Sequence, residues 1–138
     1  MHISVSPSDD LPIYRQIMRQ VMDAIAGGRL AAGERLLSHR ELSERLAIAP
    51  LTVKKAYDEL EALGYIESHR GRGTFVAATP PQVSKSVAAD QLAEGARALL
   101  TSAYLAGLSY TDVVTALETA DRELTDGPPT TRKRKRPA

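Results

Sequence analysis

Three clusters of cationic and hydroxyl side chains in this chain have the makeup to grip an anion. Arg40 and Arg45 sit five positions apart beside the apolar pair Leu42 and Leu46. Thr52, Lys54 and Lys55 crowd into four positions, and Arg70-Gly71-Arg72-Gly73 alternates guanidinium groups with residues that lack a Cβ. Lysine and arginine neutralise phosphates, hydroxyls can bond phosphates or base edges, and glycine lets a backbone come close to what it touches. The chemistry is that of holding a nucleic acid.

Bond-making chemistry has little to work with. There is no cysteine, and His2, His39 and His69 are scattered. No G-x-x-x-x-G-K is present, and the G-R-G at 71–73 precedes a strand-like run where a dinucleotide fingerprint opens a helix. An enzyme is therefore not expected, nor a cofactor. His39 and His69 could be imagined in a metal sensor with nearby carboxylates. Isolated histidines beside a cationic face are better read as phosphate or solvent contacts, so no metal is expected. The N-terminus MHISVSPSDD lacks a basic-then-apolar signal, and no run approaches the roughly 18 apolar residues of a membrane span. The expectation is a cytoplasmic protein with no membrane contact.

The cationic clusters need elements to hold them. Residues 38–63 read as two short helices around a turn at Ala47-Ile48-Ala49-Pro50. Ser38 and Glu41 form an S-x-x-E capping box, and Leu42 and Leu46 point inward. The next helix has Ala49 at its N-cap and Pro50 at its first position; Val53, Tyr57, Leu60 and Leu63 are assigned to its core face. That leaves Thr52, Lys54 and Lys55 outward near its start, as in a helix pressed into a major groove. Before this pair, Ile13, Ile17, Val21 and Ile25 mark a helix of about four turns, capped from Ser8-Asp9-Asp10 and stopped at Gly27-Gly28. Arg35-Leu36-Leu37 suffices for a very short strand. Two strand-like runs, 65–68 and 74–77, flank the Arg/Gly tip and predict a hairpin whose arginines reach a groove.

These residues resemble the GntR family of bacterial transcription factors. The likeness runs over residues 12–76 and is carried by R-E-L at 40–42, T-V-K-K-A-Y-D-E-L at 52–60, L-G-Y-I-E at 63–67 and G-R-G-T-F-V at 71–76. It implies a mainly α fold with a small β-wing: a winged helix-turn-helix domain over 1–77. It also implies operator DNA of dyad symmetry bound by a homodimer. Carried onto this sequence, the family's DNA contacts fall on Arg40, Thr52, Lys54, Arg70 and Gly71. Lys55 and Arg72 join them as phosphate contacts by charge and position. The chain departs from the family pattern at Leu36-Leu37-Ser38, where L-P-S is common, at His39, and at Ala49-Pro50-Leu51, where polar or basic residues are usual. Leu51 can pack on a thymine methyl but donates no hydrogen bond, so the operator preference is expected to differ there.

After a proline-stiffened linker at 78–83 come two more amphipathic helices, within 84–126. Leu92, Leu99 and Ala103 on the first, with Val113, Leu117 and Leu124 on the second, form seams that about forty residues cannot bury alone. A two-helix dimerisation region is the expectation. Its brevity narrows the resemblance to the YtrA-type subfamily. No effector is identifiable, though a small ligand at a dimer interface remains compatible. Residues 127–138 hold five basic and no acidic residues and are expected to be a disordered basic tail. The balance elsewhere is neutral over 1–76, with ten basic and ten acidic residues, and acidic over 77–126, with three against seven. A transcriptional repressor is the function expected. An architectural or plasmid-maintenance DNA-binding protein is the alternative.

Overall fold

The structure, a computed structural model, describes residues 2–79 and 81–127. Its order is α1 (Ile13–Ala26), β1 (Arg35–Leu36), α2 (His39–Leu46), α3 (Pro50–Ala62), β2 (Ile66–His69), β3 (Gly73–Val76), α4 (Lys85–Leu105) and α5 (Tyr110–Asp126). Among the described residues, five helices and one antiparallel three-stranded sheet make the mainly α, β-winged fold expected. The chain divides into two compact units, Met1–Pro81 with Leu124–Gly127, and a second over Gln82–Glu123.

In the first unit, Ile17, Val21, Leu42, Val53, Leu60, Ile66 and Val76 are essentially inaccessible and draw on α1, α2, α3 and the sheet. The four-residue spacing of Ile17 and Val21, and the 53–56–57–60 spacing on α3, put each helix's apolar stripe against one core. Leu63 departs from the expectation. It stands past the last turn of α3 and is half exposed, on the wall of an open groove of about 580 Å³ between α1 and α3. Gly64, with φ 91°, turns the chain there toward the sheet.

The start of α1 also differs. Pro12 is the N-cap, and no side chain caps the helix. Asp9 instead accepts from the Leu11 N–H at 2.9 Å, within the segment ahead of the helix. That segment is tied down by two glutamines of α1. Gln16, buried, accepts from the Ser6 N–H at 2.8 Å and donates to the carbonyls of Ser6 and Leu11. Gln20 pairs in both directions with the Ser4 backbone. Ile3 is thereby seated in the core.

The capping box of α2 is complete. Ser38 Oγ accepts from the Glu41 N–H at 3.0 Å and Glu41 Oε1 from the Ser38 N–H at 2.8 Å. The Ser38 backbone N–H, then its side chain, hold the Glu41 carboxyl below the usual carboxylate range. A lowered folded-state pKa stabilises above the ordinary carboxylate pKa, and the contribution is lost as pH falls through the lowered value. Ser38→Ala is expected to lose about 0.5–2 kcal/mol of stability at neutral pH. In acid, where Glu41 is protonated, the difference from the parent should shrink; urea melts at the two pH values measure both.

In the second unit, α4 is capped by Ser84 Oγ on the Val87 N–H, and Ser109 and Asp112 cap α5 reciprocally. Ala103 and Val113 are buried within the chain. Val87, Leu92, Leu99, Tyr104, Leu105 and Leu117 are exposed.

Candidate nucleic-acid interface

Two features set the angle between α2 and α3. Ala47 closes α2 in the left-handed region, φ 56°, with its N–H on Glu44 O and the Ile48 N–H on Ser43 O. A non-glycine residue there is strained by the order of 1 kcal/mol, so the packing of both helices must hold it. Tyr57 adds a tether. Its hydroxyl, buried beneath the pair, donates to Leu37 O at 2.6 Å just before α2 begins. Burial pushes the phenol well above its ordinary pKa, so it stays a donor.

With that angle fixed, the side chains singled out from the sequence can be placed. Arg40 is exposed on α2. Thr52 is half-buried in the first turn of α3, while Lys54 and Lys55 are exposed. Lys54 Nζ lies 2.7 Å from Asp58 Oδ2, and Lys55 Nζ sits 4.6 Å from the centre of the Tyr14 ring. Leu51 is 77% exposed in the same turn, a large apolar side chain without cover. Ala49 caps α3 with no side-chain bond, as expected, and Pro50 follows at the first position.

The wing is the β2–β3 hairpin, paired in the register Ile66↔Val76, Glu67↔Phe75, Ser68↔Thr74 and His69↔Gly73. β3 is the central strand, with β1 on its other side. The tip turns through Arg70 and Gly71, closed by the Arg72 N–H on His69 O at 2.8 Å. Gly71 has φ 76°, the left-handed conformation that the third residue of a type II turn needs. Arg70, Gly71 and Arg72 are all exposed. One pair below the tip end of the hairpin, Glu61 of α3 accepts from both the N–H and the hydroxyl of Ser68, linking wing to helix. His69 contacts Glu67 at 3.1 Å and tilts over Phe75, and is committed to the wing itself.

Sequence reasoning did not single out Tyr14 or Asp58 as partners of the cationic groups, nor Glu61 as the partner of Ser68. Only Asp58, four residues after Lys54, carried a periodic signal that could have found it.

Residues 13–76 match the pattern of bacterial regulatory proteins of the gntR family. The chain is 35% identical to the HTH-type transcriptional repressor YtrA of Bacillus subtilis (strain 168) over 106 residues, 77% of this chain and 82% of that protein. The chain belongs to the gntR family. The likeness to YtrA extends past the winged domain, as the expected subfamily requires. Among solved structures, a transcriptional antiterminator from Listeria monocytogenes EGD-e superposes with a TM-score of 0.74 at 29% identity, covering 94% of this chain and 97% of that one. AraR(DBD) in complex with an operator matches with a TM-score of 0.50 at 27% identity, covering 56% of this chain and 99% of that one. As a member of the gntR family the chain is a DNA-binding transcriptional regulator. Among the described residues no helix is long and apolar enough to cross a membrane.

Proposed function

We propose that this gntR-family chain is a cytoplasmic, non-enzymatic repressor that binds a palindromic operator as a homodimer. The observation that carries the reading is the exposure of Arg40, Leu51, Lys54, Arg70 and Arg72 on a helix pair and wing of fixed geometry. In this reading α3 enters the major groove. Thr52 and Lys54 face base edges and phosphates there, and Leu51 packs on a thymine methyl. Arg70 reaches into the adjacent minor groove over the close-approaching backbone of Gly71, with Lys55 and Arg72 on phosphates. The operator complex of AraR(DBD) and the repressor role of YtrA support the reading.

The exposed seams of α4 and α5 support the dimer, and 84–126 is assigned as the region that makes it. Leu92, Leu99 and Leu117 are the side chains free to meet a second copy; Leu124 is half-buried. Ala103 and Val113, already buried inside one chain, serve the seam by shaping its wall. The basic tail beyond Gly127 lies outside the described residues.

The deciding experiment selects bound duplexes from random and genomic fragments. Recovered sites should show two symmetric half-sites near promoters. Dense, sequence-tolerant coverage would instead establish the architectural alternative. On a selected site, Arg70→Ala is expected to lose roughly 1–3 kcal/mol of binding and to relax preference at the base pairs under the wing. Arg40→Ala should weaken binding without moving the melting temperature. Unchanged isotherms at physiological salt for both variants would remove these two residues from the interface.

A further inference from the structure

We propose that Tyr14, Arg15 and Lys55 form a phosphate-binding patch at the junction of α1 and α3, in which Tyr14 is the positioning residue for both cations. It rests on the reading of α3 as the DNA-facing helix and adds to it a contact from α1. The Tyr14 ring is half-buried, fixed by the core beneath it, and two cations from different helices converge on it. Lys55 Nζ lies 4.6 Å from the ring centre, and the Arg15 guanidinium carbon lies 5.8 Å from it. Arg15 Nε also donates to the Tyr14 hydroxyl at 3.1 Å.

Like charges gathered on one exposed spot repel unless something of opposite sign is near. Among the described residues neither cation has an ion pair. Glu59, one turn beyond Lys55 on α3, favours the charged form of Arg15, although only after the larger effect of the Tyr14 hydroxyl. The negative face of the ring attracts both cations and holds them without neutralising them. Each therefore keeps its full charge for a bound anion. Lys54 contrasts with them, because Asp58 already occupies its ammonium group.

The ligand that fits is a phosphodiester of a duplex. Lys55 follows Lys54 on α3 and both are exposed, so in the proposed docking a backbone that meets Lys54 runs close to the ring-held cations. A guanidinium, an ammonium and a phenol hydroxyl give several donors and no base-reading geometry. The contact should be indifferent to sequence and should fix how far along the groove α3 settles.

The test uses the full-length chain, a duplex carrying a selected site, and a scrambled duplex of equal length, each titrated over a range of salt. Arg15→Gln should lower the magnitude of the log K against log salt slope by about 0.9, the share of one phosphate. Affinity should fall by the same factor on both duplexes. Tyr14→Leu removes no charge, so a merely structural ring would leave the slope alone; here the slope should fall. Tyr14→Phe keeps the ring under Lys55 and should recover part of the loss. Thermal melts show which variants remain folded, and Arg15→Gln, at an exposed site, carries the test should Tyr14→Leu unfold. A parental slope for Arg15→Gln overturns the patch, as does a loss confined to the selected duplex. A parent chain that cannot tell the two duplexes apart counts against the sequence-specific reading of α3 instead.

Discussion

Leu60→Ala is expected to lower the stability of the winged domain by about 2–5 kcal/mol, the range for deleting a fully buried leucine side chain. Leu60 is inaccessible and lies on the face of α3 turned to the core shared with α1, α2 and the sheet. No solvent can fill the space left, and Tyr57, Val53 and Ile66 sit in the same cluster with no slack to collapse. For a domain of this size each kcal/mol moves the midpoint by roughly 4–8 °C, so the loss should be plain in a thermal scan. Leu60→Met, similar in volume, should cost less than about 1.5 kcal/mol. An alanine variant that melts with the parent would mean that α3 is not anchored there.

The second large effect concerns assembly. Leu99→Asp and Leu117→Asp each place a carboxylate on the exposed apolar surface of α4 or α5. Several large apolar side chains left exposed on two helices fit a site of association, and a charge buried there without a partner would oppose it strongly. Both variants should run as monomers by light scattering at micromolar concentration. With only one half-site engaged per molecule, operator affinity should fall by about 10²–10⁴-fold, the usual gain from linking two binding events. Because these side chains are exposed within a single chain, its own helices should keep their circular dichroism. Dimers in both variants would rule out this seam.

Much of the fold could be read from the sequence because its strongest signals are periodic or local. The four-residue recurrence of Ile13, Ile17, Val21 and Ile25 located α1, and the S-x-x-E box located α2. The glycines around Arg70 and Arg72 located the turn of the wing. Contacts between segments left no such mark. Gln16 looks like any polar helix residue, yet its amide makes three bonds to the preceding segment and is buried for that reason. The apolar spacing of α3 extends to Leu63 and predicts it in the core, whereas the helix ends one residue earlier and leaves it half exposed. The cationic candidates were found by type. What holds each one, Asp58 for Lys54 and the Tyr14 ring for Lys55, depends on side-chain direction.

The Lys54–Asp58 pair bears on how the chain would search along DNA. Both side chains are more than half exposed, and the lysine precedes the aspartate, the weaker order for such a pair on a helix. Its worth is about 0.3–0.5 kcal/mol, close to a twofold factor. With Lys54 on phosphate as proposed, Asp58 is a resident counterion that the phosphate displaces first. A fleeting encounter with an arbitrary stretch of duplex gains little from that exchange, while a site that aligns the whole of α3 recovers it many times over. In that proposal the carboxylate beside Lys54 sharpens the contrast between the right sequence and the excess of wrong ones.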